Sequence, residues 1–228
     1  MNLKNRWKNS LKKSKMIKSE ITNILEKPTW VLILAASAFY LAGLFLFSHF
    51  VWSTDIYEIN YKTDKGFDEY IGMVRQIDLV RYLLSPLYIL TISFIILGVL
   101  KIGLIINNIN IEDKILLKTI ILGTFILSLP LWVKAVWFVL IKGNYSMDEV
   151  KFFYPLSLLF FFDSTELHLN IAKVLGRINL YHLVFMTFIA GCIKQYSDIS
   201  WYRSFGMVSY TYGLGFVLLQ MIIILLYI

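Results

Sequence analysis

The sequence predicts an all-α integral membrane protein: five transmembrane helices, an N-terminal basic amphipathic helix, and a re-entrant or interfacial aromatic segment. Composition is the first observation behind this. Of 228 residues, 58% are hydrophobic and only 16% charged, with a mean hydropathy of +0.67. A soluble domain carries about 25% charged residues, so this chain has too few charges to cover a globular surface. The second observation is patterning. The apolar residues fall in long runs of the length that a bilayer demands, with tryptophans at the run ends.

Residues 1–28 form a basic cytosolic segment, with eight Lys or Arg against Glu20 and Glu26. The stretch is too long and too charged for a secretory signal peptide. On a helical wheel, Leu3, Trp7, Leu11, Ile17, Ile21, Ile24 and Leu25 share one sector, and most of the lysines lie outside it. That pattern favours a helix lying in the membrane interface over a solvated tail. Trp7, Lys8, Lys12, Lys13 and Lys15 are its candidate membrane-binding residues, with anionic lipid as the partner. The excess of +7 sits mostly here, so it points to lipid and not to nucleic acid.

Residues 29–228 form the membrane domain. Trp30 to Trp52 is a charge-free run of 23 residues, about 34 Å as a helix, bounded by interfacial aromatics. A polar stretch, 53–82, precedes a second span from about Tyr82 to Leu100, extendable to Ile106 if Lys101 snorkels. The third, from about Thr119 to Ile141, contains Pro130 and Lys134. The fourth runs from about Ile178 to Ile193 and can begin earlier, near Ile171. The fifth, Ser204 to Ile228, has 25 residues without charge. Between the third and fourth, Phe152 to Phe162 is apolar, but at 11 residues it is too short to span, and Pro155 interrupts it.

Five spans put the termini on opposite faces. With the N-terminus inside, the inner segments hold 13 basic residues and the outer ones eight, which sets N-in and C-out by the positive-inside rule.

Chemistry-bearing motifs are sparse. No phosphate loop, nucleophile elbow, paired cysteine motif or dinucleotide fingerprint occurs, so an enzyme is the weakest class and no cofactor is expected. Lys134 is either a ligand-binding residue facing the interior or a snorkelling cation. In the second case the span shifts to Ile115–Val133, with Trp132 and Trp137 in an aromatic belt. Asp163, Glu166 and His168 are metal-capable, but their spacing reads better as a helix start. Small residues at four-residue spacing, Ala38 with Ala42 and Ser209 with Gly213, suit close helix packing. That packing serves the bundle itself or a homo-oligomer.

Three stretches carry a family resemblance: the proline-bearing SLPLWVKAVW around Pro130, the aromatic PLSLLFFF from Pro155 to Phe162, and LGRINLYHLVFMTFIAGCIKQYS from Leu175 to Ser197. In the last, Asn179-Leu180-Tyr181 precedes the small pair Ala190-Gly191. Together, over about residues 85–225, they resemble the Yip1-domain family of five-span membrane proteins, in a bacterial-type branch. His182, Leu183 and Val184 stand where family members often carry a tryptophan, and residues 1–28 lack the acidic and Gly-Pro motifs of eukaryotic members. The resemblance implies a non-enzymatic scaffold or adaptor, with Asn179 and His182 joining Lys134 as polar residues of interest. The alternative is a small transporter or an accessory subunit, in the bacterial inner membrane in either case.

Overall fold

The computed structural model describes residues 23–51, 67–142, 145–162 and 167–227, and every element among them is helical. Helix α1, Thr29–Leu46, continues through a π-helical turn, Phe47–Val51. Helix α2 is Phe67–Ile106, and α3 is Asp113–Val136 with a π turn at Trp137–Ile141. A cap segment follows: α4, Met147–Phe152, a 3-10 turn at Leu158–Phe161, and α5, Leu169–Arg177. Helix α6 is Leu180–Tyr196. Helix α7, Trp201–Val208, passes through a π turn, Ser209–Gly213, into α8, Leu214–Tyr227.

Four helices are long and apolar enough to cross a membrane: Thr29–Val51, Leu79–Ile106, Asp113–Ile141 and Trp201–Leu225. These match the expected first, second, third and fifth spans. The expected fourth corresponds to α6. It has 17 residues, about 26 Å at helical rise, against a hydrocarbon core of about 30 Å.

Helix α3 is the central element, packing on α1, α2 and α6, while α6 packs on α7. The main core joins Ile96, Leu100, Ile120, Phe185, Ile189 and Met207 across α2, α3, α6 and α7. Leu32, Ala36, Ile89 and Ile121 close a second core under α1. Outward, the helices present large apolar side chains such as Leu83, Ile105 and Leu225, the arrangement expected of a surface solvated by lipid.

Three boundaries differ from expectation. The segment read as a polar loop up to residue 82 is helical from Phe67. No proline lies between 67 and 85, and extending an existing helix avoids the nucleation penalty. The fourth helix does not begin near Ile171. Instead, α5 and α6 are separate helices, joined by the extended residues Ile178 and Asn179. Ile178 O accepts from Leu158 N, and Leu180 N donates to Leu156 O, both at 2.9 Å. Those backbone groups are committed to a crossing segment, so no continuous helix can use them. Third, α5 starts at Leu169, with His168 as its cap. Its ring nitrogen accepts from Asn170 N at 3.4 Å. Asp163 and Glu166, the expected helix start, lie outside the described residues, as do Trp7, Lys8, Lys12, Lys13 and Lys15 and the N-terminal amphipathic helix they were assigned to.

The small-residue expectation divides. Ala38 and Ala42 are exposed, and the buried positions of α1 include Ala36, Ser37 and Gly43. Gly213 faces Met186 and Gly215 faces Val99, so these glycines serve packing within the bundle.

Candidate polar sites within the helix bundle

Lys134 lies inside the third span. The helix runs seven residues beyond it to Ile141, about 10 Å at helical rise. Its ammonium stands 5.3 Å from the Phe47 ring centroid and 5.2 Å from that of Tyr154. Phe47 comes from the end of α1, and Tyr154 from the cap segment, whose ring packs against Gly176. A side-chain Cβ at 176 would overlap that ring, so the glycine permits the approach. Two faces of π density partly offset the cost of removing the cation from water. Among the described residues, the ion pairs are Lys101 with Asp113 and Lys142 with Glu149. Lys134 thus meets rings and not a carboxylate. Trp132 stacks on Phe39 at 5.0 Å and donates its indole N–H to Phe39 O at 3.1 Å. A buried indole N–H needs such an acceptor.

His182, on the first turn of α6, meets Tyr212 in the π turn after α7. Its Nδ1 and the Tyr212 hydroxyl are 2.8 Å apart, with the donor set by the histidine tautomer. The imidazole also stacks on Phe216 at 4.0 Å. A π turn inserts one extra residue into the helix, which displaces the register of Ser209–Gly213 and places Tyr212 in this contact. Tyr88 of α2 stacks on Tyr40 of α1 at 5.4 Å.

Asn179 is a joint. Its Oδ1 accepts from Tyr181 N at 3.1 Å, and its Nδ2 donates to Arg177 O at 3.0 Å. It caps the start of α6 and ties down the end of α5. Lys134, Asn179 and His182 therefore hold three different sets of partners and do not converge on one centre.

Lys118, just before the expected start of the third span near Thr119, was not singled out by the sequence. It lies in α3, is only 6% exposed, and donates to Leu25 O at 2.6 Å. Leu25 belongs to a helical turn at residues 23–26, just before Pro28. The lysine binds a carbonyl that the proline-interrupted helix leaves open. No sequence signal distinguishes Lys118 from its neighbour Lys114, because the partner is 93 residues away.

At the cap, Phe138 packs edge-on against Tyr145 and Phe153, and Val51 and Val150 close the cluster. Tyr145 donates to Phe50 O and reaches Val51 O, meeting the open carbonyls at the end of the first span. Glu149 completes a capping box with Ser146 and pairs with Lys142 at 2.6 Å. The Lys142 hydrogen bond, followed by the Ser146 amide, holds its carboxyl below the ordinary value of 4.5.

Among the described residues, no group of three or more His, Cys, Asp or Glu could hold a metal ion. Cys192 is buried and free. Fold and contacts together define an all-helical protein whose long apolar helices fit an integral membrane protein. The chain matches no protein-family model, no curated protein and no solved structure, so this class rests on its own residues.

Proposed function

We propose that this protein is a non-enzymatic, Yip1-like membrane scaffold or adaptor. It crosses the bacterial inner membrane five times, with α6 as the fourth crossing, N-terminus in and C-terminus out. The basic segment with Trp7, Lys8, Lys12, Lys13 and Lys15 binds anionic lipid, and the bundle presents its apolar surface to a membrane protein partner or a second copy. The aromatic stretch Phe152–Phe162 lies at the outer interface.

One observation carries the scaffold reading over the transport one. The space between α2, α3, α6 and α7 is filled by Ile96, Leu100, Ile120, Phe185 and Ile189, each at most 4% exposed. A permease needs a hydrated path lined by polar groups. Here the Lys134 ammonium is flanked by two aromatic rings instead.

Single cysteines at Ile96, Ile120 and Ile189, in a Cys192→Ala background, test this with small maleimides applied from each side of reconstituted vesicles. A scaffold's packed core leaves all three unlabelled from both sides. Labelling of any of them from one side or from both would establish a water path and favour the small transporter or accessory subunit.

A further inference from the structure

The geometry points to the 3-10 turn Leu158–Phe161 and its flanks as a lipid-binding extension of the short helix α6, filling the outer-leaflet depth that α6 cannot reach. This rests on the reading of α6 as a membrane crossing.

Three observations converge on it. The turn carries an unusual apolar surface: Phe160 is 85% exposed, Phe161 77% and Phe162 53%, with Leu156 and Leu158 beside them. No charge occurs from Phe152 to Phe162. Large exposed apolar patches mark interaction surfaces, and an uncharged aromatic one suits the acyl–headgroup boundary.

The turn is also firmly mounted. Leu158 N donates to Ile178 O, Leu180 N donates to Leu156 O, and Ser157 Oγ donates to Tyr154 O at 2.8 Å. Leu159 is buried and plugs the turn onto the cap. Leu156 adopts φ = 55°, a left-handed conformation that leucine takes only where its surroundings enforce it. The rigid mount points the phenylalanines outward, although a free loop of this composition would fold them in.

Finally, position selects lipid as the occupant. The mount joins the turn to the first residue of α6, and α6 exposes Leu180, Leu183 and Val184. The patch therefore lies beside the start of α6, where that helix already presents apolar side chains. A helix of 17 residues is short of the hydrocarbon core by about 4 Å, and a mismatched span is compensated by thinning the bilayer or by flanking groups. The aromatic turn supplies apolar surface at that end.

The test uses nitroxide side chains at Phe160→Cys and Val184→Cys, each in a Cys192→Ala background of the full chain. The protein is reconstituted into phosphatidylethanolamine–phosphatidylglycerol vesicles. Phe160 and Val184 are both exposed, so neither label disturbs the core. Relaxation by oxygen, which concentrates in lipid, is compared with relaxation by a water-soluble nickel chelate. The expected result is oxygen-dominated relaxation at both sites, with a smaller oxygen-to-nickel ratio at 160 because it is shallower. Oxygen-dominated relaxation at 184 with nickel-dominated relaxation at 160 would overturn the extension while leaving the five-crossing reading intact. Relaxation of the 160 label by neither reagent would mean that protein covers the turn, and would also overturn it. Nickel-dominated relaxation at 184 would remove the five-crossing reading itself, and the proposal with it.

Discussion

Lys118 shows how one buried cation can set the start of the bundle. Its bond to Leu25 O is charge-assisted and almost fully shielded from water. Lys118→Met leaves that carbonyl unpaired in an apolar setting and should cost about 1–3 kcal/mol, read as a lower thermal midpoint in detergent. Lys118→Arg should retain most of the stability, because a guanidinium can still donate to the same oxygen. Glycines give a second contrast. A Cβ at Gly123 would overlap the Phe185 ring, whereas one at Gly98 meets nothing within 4 Å. Gly123→Ala should therefore destabilise by about 1–3 kcal/mol through overpacking. Gly98→Ala should be neutral or stabilising by up to about 1 kcal/mol through helix propensity. Parallel melts of the two variants check this, and equal effects would refute it.

The Asn179 side chain supports the joint between α5 and α6 beside the joint's backbone bonds to Leu156 and Leu158. Asn179→Ala removes the cap of α6 and the donor to Arg177 O, an expected loss of about 1 kcal/mol. Amide exchange should rise first at Tyr181 and Leu180; a uniform rise across α6 would place the effect elsewhere. The cap's α4 turn responds to pH. Hydrogen bonds from Lys142 and Ser146 favour the ionised Glu149 carboxylate and lower its pKa in the folded state. The resulting stabilisation of the turn is present above the unfolded value of 4.5 and is lost as pH falls through the lower folded value. The Ser146 amide donates to Glu149 Oε2 at 2.8 Å, so its proton shift should titrate with a midpoint below 4.5. A midpoint at or above 4.5 would contradict this.

For the molecule as a whole, the arrangement of α3 against α1, α2 and α6 explains how a bundle with few charges stays specific. Tight approaches at Gly103, Gly123 and Gly213 and the indole–carbonyl bond of Trp132 fix the neighbours, as small residues and hydrogen bonds do where lipid supplies no drive for helices to associate. On the proposed five-crossing reading, the two ends lie on opposite faces. Reporter fusions at Met1 and after Ile228 should report the N-terminus inside and the C-terminus outside. Both ends on one face would mean that α6 does not cross. A peptide of residues 3–25 should gain helix on anionic vesicles and release at high salt, and no gain on such vesicles would remove the lipid-binding role of Trp7 and Lys8.

The four long apolar helices were legible in the sequence because a bilayer imposes a length and a composition that need no partner to recognise. Charge-free runs such as Trp30–Trp52 and Ser204–Ile228 carry that information locally. What each polar side chain touches was not legible, since the partner lies far along the chain. What Lys134 touches appears only when Tyr154 and Phe47 are seen to bracket it, and the partner of Trp132 only when its N–H is found on Phe39 O. His182 carried only its position in the resemblance, and Tyr212 no signal at all. The break at Ile178 and Asn179 likewise depends on backbone bonds to Leu156 and Leu158. Hydrophobic periodicity reports burial against an average environment, while hydrogen bonds and ring contacts need particular atoms at particular distances. The sequence alone therefore determined which segments are apolar helices, and tertiary structure alone decided which polar groups among them are paired.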